Sequence, residues 1–377
     1  VLSRRFPHDL SPNAYAVARS RHGPIPLDLT VTNPTACGIP YPSDILGPLA
    51  SPAGLAYRPD AKGLLSARRA VAAMYVTRGA AVDPEQVVLT ASSSEAYAFL
   101  FKLLGNPGDG VLVPTPSYPL FEHLAALEGL RAIPYPLDGA NGWQPRRPNR
   151  TPNGARAAIV VHPNNPTGTF VEPGAAEALA GALPLIADEV FLDFVLREGF
   201  HPSFAARTEG LTFALGGLSK SIGLPQLKLS WIVVSGPAKE VRAALDGLEF
   251  IADNYLSVAT PIQEALPEIL RRGATVREAI RSRCGANLGR ARALVAPERG
   301  VELIEPAGGW SLVLRFPRVV GEEALVLELL EHRGVAVHPG YFFDFPAEGY
   351  LVLSLLPRPE IFEIGMRAVL DAIASKL

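Results

Sequence analysis

From about Val82 to Val234 six apolar runs of three or four residues recur, each bounded by Gly, Pro, Asn or Asp: 87–90, 111–113, 158–161, 185–187, 212–215 and 231–234. Runs this short and this rich in Val, Ile and aromatic side chains are too brief for helices, and they do not alternate as half-exposed strands do. They predict strands buried on both faces. Between them, 95–104 and 120–127 carry apolar residues at spacings of three and four, the pattern of helices that cover such a sheet. The order predicts an α/β fold, a large domain with a mainly parallel sheet covered by helices.

Beyond about Tyr255 the pattern changes. A long helical stretch (262–294) precedes strand patterns at 301–304 and 310–316, a helix at 322–332, strands at 335–338 and 350–355, and a last helix at 360–376. This predicts a smaller α+β C-terminal domain. The first fifty residues are rich in Pro and weakly periodic, with Asn33-Pro34-Thr35 and Gly38-Ile39-Pro40 suggesting an extended arm. The expected organisation is therefore 1–50 as an N-terminal arm and part of the small domain, 51–255 as the large domain and 256–377 as the small domain.

Charge and composition narrow the function. Thirty-five Lys and Arg against 37 Asp and Glu leave a formal net charge of -2, so no global field gathers nucleic acid or an anionic membrane. An anionic ligand must be held locally. The two cysteines, Cys37 and Cys284, lie far apart without a partner motif and read as buried thiols of a reducing compartment. The longest apolar stretches, such as 351–356, are far short of a bilayer span, and no basic-then-apolar leader opens the chain. A cytoplasmic protein without membrane partner, nucleic acid or metal is expected.

In open parallel sheets ligands sit beyond the carboxyl ends of the strands. Here nearly every run ends in a polar cluster: Ser92-Ser93-Ser94-Glu95 after Thr90, Pro116-Ser117-Tyr118 after Val113, His162-Pro163-Asn164-Asn165-Pro166-Thr167-Gly168 after Val161, Asp188-Glu189 after Ala187, and Gly216-Gly217-Leu218-Ser219-Lys220 after Leu215. Singly, each has a plain reading. Ser94 is a helix cap, Asn-Asn-Pro-Thr-Gly a turn, Asp188 a cap for the next helix and Lys220 a surface charge. Their order and joint placement at one sheet edge argue for a site.

These residues resemble the class I/II aminotransferases that carry pyridoxal phosphate (PLP) on the fold type I architecture. The likeness covers nearly the whole chain, from Ala56-Tyr57-Arg58-Pro59-Asp60 and Gly63 through Asn164-Asn165-Pro166-Thr167-Gly168, Asp188-Glu189-Val190, Leu218-Ser219-Lys220 and Gly223-Leu224-Pro225 to Gly308-Gly309-Trp310. It implies that Lys220 forms the internal aldimine and then moves the substrate α-proton, and that Asp188 pairs with the pyridine nitrogen. By the same likeness Asn165 binds the ring 3'-oxygen and Tyr118 stacks on the ring. Ser93 and Ser94 at a helix N-terminus, with Ser219 and Lys228, hold the phosphate. Tyr57 reaches the phosphate of a neighbouring subunit, so a homodimer with composite sites is implied. The substrates implied are an amino acid and a 2-oxo acid, with Gly38, Trp310 and Arg358 as substrate-side candidates.

Some positions depart from the family pattern. Phe191 stands where Tyr is usual, which removes a hydroxyl from the 3'-oxygen. Gly217 replaces a phosphate-binding Ser, and Lys228 an Arg, losing the bidentate fork. Val352, in Val352-Leu353-Ser354, stands where an Arg binds the substrate carboxylate. Alternation puts Val352 and Ser354 on one strand face, opposite Leu351, Leu353 and Leu355. Arg358 and Arg315 are the nearby cations, and His162 and Tyr341 are further pocket candidates. The leading expectation is transamination. The alternative is another PLP reaction on the same scaffold, a C-S lyase or cyclising synthase. A PLP-sensing DNA-binding regulator is disfavoured because no basic helix-turn-helix module is evident.

Overall fold

The computed structural model describes residues 3–7, 9–146, 151–295, 300–319 and 321–377. Its strands are β1 (Leu27–Asp28), β2 (Val87–Thr90), β3 (Gly110–Thr115), β4 (Arg131–Asp138), β5 (Gln144–Pro145), β6 (Ala155–Val161), β7 (Leu185–Asp188), β8 (Thr212–Gly217), β9 (Ser230–Ser235), β10 (Glu302–Ile304), β11 (Ser311–Arg315), β12 (Val335–Ala336), β13 (His338–Pro339) and β14 (Tyr350–Ser354). Its α-helices are α1 (Ala14–His22), α2 (Leu65–Val76), α3 (Ser93–Leu104), α4 (Phe121–Leu127), α5 (Pro173–Ala180), α6 (Leu218–Ser221), α7 (Ala238–Asp253), α8 (Thr260–Leu294), α9 (Glu322–Arg333) and α10 (Pro359–Ala374).

All six apolar runs are strands of one eight-stranded sheet, in the order β2-β9-β8-β7-β6-β3-β4-β5. The central ladder from β8 to β4 is parallel, whereas β9 runs antiparallel to both β2 and β8. Strands β2, β7, β8 and β9 are buried at every position, which is why their sequences show no alternation. Alternation still sorts the two faces. Val88, Phe213, Leu215 and Ile232 pack toward α3 and α7, while Val87, Leu89, Ala214, Trp231 and Val233 join the cluster that includes α2 and α8. A Cβ on Gly216 would lie 2.5 Å from Trp231 Nε1, so the missing side chain admits the indole, whose N–H donates to Tyr75 Oη at 3.0 Å.

Strand β4 is absent from the sequence expectation because it carries Pro134 and Pro136. Among the described residues its outer side meets only β5, which pairs with Leu137 and Asp138, and Arg146, whose N–H donates to Pro136 O at 3.0 Å, and such an edge tolerates proline. The arm also differs from expectation. It contains α1, capped by Asn13 Oδ1 accepting from Ala16 N at 2.8 Å, and only Tyr15 and Ala18 of this helix are buried. With so few apolar contacts it left little periodicity to read.

The C-terminal part forms a four-stranded antiparallel sheet, β10-β11-β14-β13. The predicted strand 335–338 splits between two sheets, with β12 pairing to β1 of the arm and β13 pairing to β14. Among the described residues no helix is long and apolar enough to cross a membrane, and no group of three or more His, Cys, Asp or Glu is arranged to hold a metal.

Candidate active site

The polar segments that follow β2, β3, β6, β7 and β8 supply the expected residues. Lys220 lies on α6, immediately after β8, and its Nζ stands 5.3 Å from the ring centroid of Trp310 and 5.7 Å from that of Phe191. Among the described residues this ammonium has no hydrogen-bond or ion-pair partner. Burial lowers its pKa, opposed by attraction to Asp188, so more of it is free base at neutral pH than in an ordinary lysine.

Asp188 closes β7 and is 7% exposed. Its Oδ2 accepts from Tyr97 Oη at 2.8 Å and its Oδ1 from Val190 N at 3.2 Å. Burial raises its pKa, while Tyr97, Val190 N and Lys220 pull the other way. Lys220 and the buried Asp188 attract one another yet form no ion pair, which leaves the ammonium without a compensating partner among the described residues. Trp310 adds a second polar group without a partner. It is 2% exposed, its ring meets Phe191 and Phe194 edge-on at 5.2 and 5.0 Å, and its Nε1 has no partner.

The Asn-Asn-Pro-Thr-Gly segment is a rigid clip rather than a simple turn. Asn164 Nδ2 donates to Pro116 O and Thr167 Oγ1 at 3.1 and 3.0 Å, and Asn164 Oδ1 accepts from Ser117 Oγ at 2.8 Å. Gly168 has φ +69° and its would-be Cβ falls on Pro306, so glycine is required there. Its carbonyl accepts from the N–H groups of Ala307 and Gly308, both at 3.0 Å, fastening the clip beside Trp310. Asn165 Oδ1 accepts from Ser311 Oγ at 2.9 Å, which fixes its amide plane. Tyr118 is half-buried, with its ring edge-on to Phe121 at 5.7 Å.

One cap assignment is corrected. Ser92, not Ser94, caps α3, its Oγ accepting from Glu95 N at 3.1 Å. Ser93 and Ser94 therefore occupy the first helical turn, where their backbone N–H groups have no intrahelical acceptor and suit an anion. The hydroxyls of Ser93, Ser94 and Ser219 make no hydrogen bond among the described residues. Lys228 is exposed, holds a left-handed backbone at φ +49°, and is likewise without an ion pair among them. Gly217 pairs with Ser230 across β8 and β9, and a Cβ on Gly217 would collide with Ser230 Oγ. The neighbouring strand thus fills the space a serine at 217 would need.

Tyr57 is 77% exposed on this chain. Gly38 (φ +65°) and Arg358 come together, because a Cβ on Gly38 would lie 2.8 Å from Arg358 Nε. Arg358 is exposed and unpaired among the described residues, and no hydrogen bond or ion pair joins it to Lys220 or Trp310. Val352 is 3% exposed and packs with Val313, Phe343 and Phe345, while Leu351, Leu353 and Leu355 join the main core, as alternation predicted. Arg315 pairs with Glu302 at 3.3 Å and lines an open groove of about 1020 Å³ that contains neither Lys220 nor Asp188. His162 also borders that groove. It is a core residue whose Nδ1 accepts from Val171 N at 3.0 Å, and burial lowers its pKa to about 3. Tyr341 donates to Glu323 Oε1 at 3.4 Å at the surface. Sequence reasoning missed Tyr97, Ser311 and Ser230. Tyr97 lies on the apolar stripe of α3, and only its hydroxyl in that stripe hints at a polar task.

A lysine without a partner among the described residues and a buried aspartate lie at the carboxyl edge of a mainly parallel sheet, in the fold type I architecture. Residues 49–361 match the profile described as Aminotransferase class I and II. The chain is 28% identical to glutamate-pyruvate aminotransferase AlaA of Escherichia coli (strain K12) over 362 residues, covering 90% of this chain and 88% of that protein. It is 31% identical to arginine–pyruvate transaminase AruH of Pseudomonas aeruginosa over 327 residues, covering 81% and 79%. The crystal structure of an aminotransferase from Escherichia coli superposes with a TM-score of 0.79 at 26% identity, covering 94% of this chain and 91% of that one. The chain belongs to the class I and II aminotransferases. It is an amino-group transferase, EC 2.6.1.-, of a family that generally depends on pyridoxal phosphate.

Proposed function

We propose that this transferase holds pyridoxal phosphate in the cleft between Lys220 and Asp188 and moves an amino group from an amino acid to a small 2-oxo acid such as pyruvate. One observation carries the cofactor reading. The half-buried Lys220 Nζ and the buried Trp310 Nε1 have no partner among the described residues, and the buried Asp188 carboxylate, though it accepts from Tyr97 and Val190, meets no cation in contact. A chain that buries such groups gains only if a ligand pairs with them.

When bound, the cofactor supplies an aldehyde for an amine and an electron sink for the substrate's α-carbon. The chain supplies the rest. Lys220, made more basic-form by burial, is the covalent anchor and the carrier of the α-proton. Asp188 offers a fixed negative charge to the ring nitrogen, Asn165 a donor to the ring oxygen, and Tyr118 a flat apolar face. The free N–H groups of Ser93 and Ser94, with Ser219 and Lys228, take the phosphate. Trp310, beside Lys220, offers its indole N–H to the substrate, and Arg358 beside Gly38 is the cation for a carboxylate. The exposure of Tyr57 supports its use by the partner of a homodimer. Two free, buried thiols support a reducing, cytoplasmic setting.

The names of the relatives support pyruvate as acceptor, with alanine, glutamate or arginine as donors to try first. Reconstitution with pyridoxal phosphate tests the reading. The expected result is a visible absorption band that Lys220→Ala abolishes and that a productive amino acid bleaches. A colourless wild-type protein overturns it.

A further inference from the structure

Tyr97 is 1% exposed on α3, and its Oη donates at 2.8 Å to Asp188, 91 residues away in sequence. The ring is tilted on Phe101 at 5.8 Å and meets Phe121 edge-on at 5.5 Å. Phe121 in turn meets Tyr118 edge-on, so one aromatic cluster supports both the donor to Asp188 and the Tyr118 ring. Locked this way, the hydroxyl cannot turn to water. Buried and beside a carboxylate, it stays protonated, and so remains a donor, throughout the working range.

We infer that Tyr97 is a positioning residue: it sets the rotamer of Asp188 and holds that carboxyl in its anionic form, ready for a protonated ring nitrogen. The inference rests on the cofactor reading given above. Two donors, one on each carboxylate oxygen, leave the remaining lone pairs in a single orientation. With phenylalanine at position 97, one backbone N–H would be the only donor to a fully buried anion. Asp188 would then turn more freely and take up a proton at a higher pH.

The groups that face Asp188 are few. They are Tyr97 from α3, Lys220 from α6 and Tyr118 from the loop after β3, with Glu189 adjacent in sequence. Glu189 is turned away, accepting from Ser203 Oγ and Phe204 N. Lys220 acts across the cleft without contact, so Tyr97 is the only side chain among the described residues that hydrogen-bonds the carboxylate.

The test compares wild type, Tyr97→Phe, Asp188→Asn and the double variant as full-length chains. Phenylalanine keeps the ring packing, and thermal melting of the cofactor-free chains checks folding. In Tyr97→Phe the Asp188 carboxyl, followed by carbon-13 NMR without cofactor, should titrate about one pH unit higher. Retention of pyridoxal phosphate, read by quenching of tryptophan fluorescence, should weaken about tenfold or more at neutral pH. The kcat should fall while KM for the amino acid stays within about twofold, and in the Asp188→Asn background the Tyr97 substitution should add little. A lowered melting temperature with unchanged titration, unchanged retention and equal effects in both backgrounds overturns the inference. Failure of the wild-type chain to take up the cofactor overturns the cofactor reading instead, and the NMR titration still decides the effect of Tyr97 on Asp188.

Discussion

Gly217 and Ser230 offer a test of packing at the edge of the site. Gly217 ends β8 in extended backbone, φ -179°, a conformation that any residue adopts, so Gly217→Ala should gain about 0.4–1 kcal/mol by restricting the unfolded chain. Space decides otherwise. The new Cβ would overlap Ser230 Oγ and lie 3.0 Å from Ser230 Cβ and 3.3 Å from its Cα, and strand pairing on both sides of β9 prevents retreat. Overpacking of this kind costs about 1–3 kcal/mol. The expected net change for Gly217→Ala therefore runs from about zero to a loss of about 2.6 kcal/mol. Ser230→Gly removes the obstacle, so the double variant should recover most of the loss. Calorimetric melting of the four proteins gives the coupling. Gly217→Ala melting above wild type, or a double variant as unstable as the sum of the singles, would refute the reasoning.

Three further outcomes are expected. Lys220→Ala should lower kcat by about 10³-fold or more with the fold intact by circular dichroism, since both the anchor and the proton carrier are lost. Burial pushes the Glu189 carboxyl from 4.5 up to about 7. Its folded form therefore holds the proton more tightly than its unfolded form, and its contribution to stability is fully present below about pH 4.5 and lost as pH rises through 7. Glu189→Gln should flatten that decline, by about 3 kcal/mol at most, in urea melts from pH 4.5 to 8. Asp193 takes Arg78 Nη2 at 2.7 Å and Arg277 Nε at 3.4 Å in a largely buried cluster. Asp193→Ala should cost about 3–5 kcal/mol by stranding Arg78, measured as a lowered unfolding midpoint.

The large sheet was legible because its central strands are buried on both faces, and burial on both faces writes itself as an unbroken apolar run. What sequence left out was weakly amphipathic or placed at an edge. Strand β4 carries two prolines on a side where no described residue asks for an N–H, and α1 buries only Tyr15 and Ala18. The reversal of β9 was also unreadable, because a buried strand looks the same in either direction and only the chain path from Gly217 through α6 back to Ser230 decides it.

At the site, the reacting groups were legible and their supports were not. Lys220, Asp188 and Asn165 stand out because polar residues are expensive at the ends of buried strands, so each begs an explanation in the sequence itself. Tyr97 carries its polar atom on a large apolar ring, and a helix stripe accepts such a ring for packing alone. Only the coordinates distinguish a phenol that meets a carboxylate from one that meets a carbonyl, as Tyr135 does with Ile159. The same logic applies to Val352. A missing arginine is visible as a letter, but its consequence is structural: the position is filled by Phe343, Phe345 and Val313, so no cation of this strand reaches the cleft, and the charge that meets a substrate carboxylate has to come from another element.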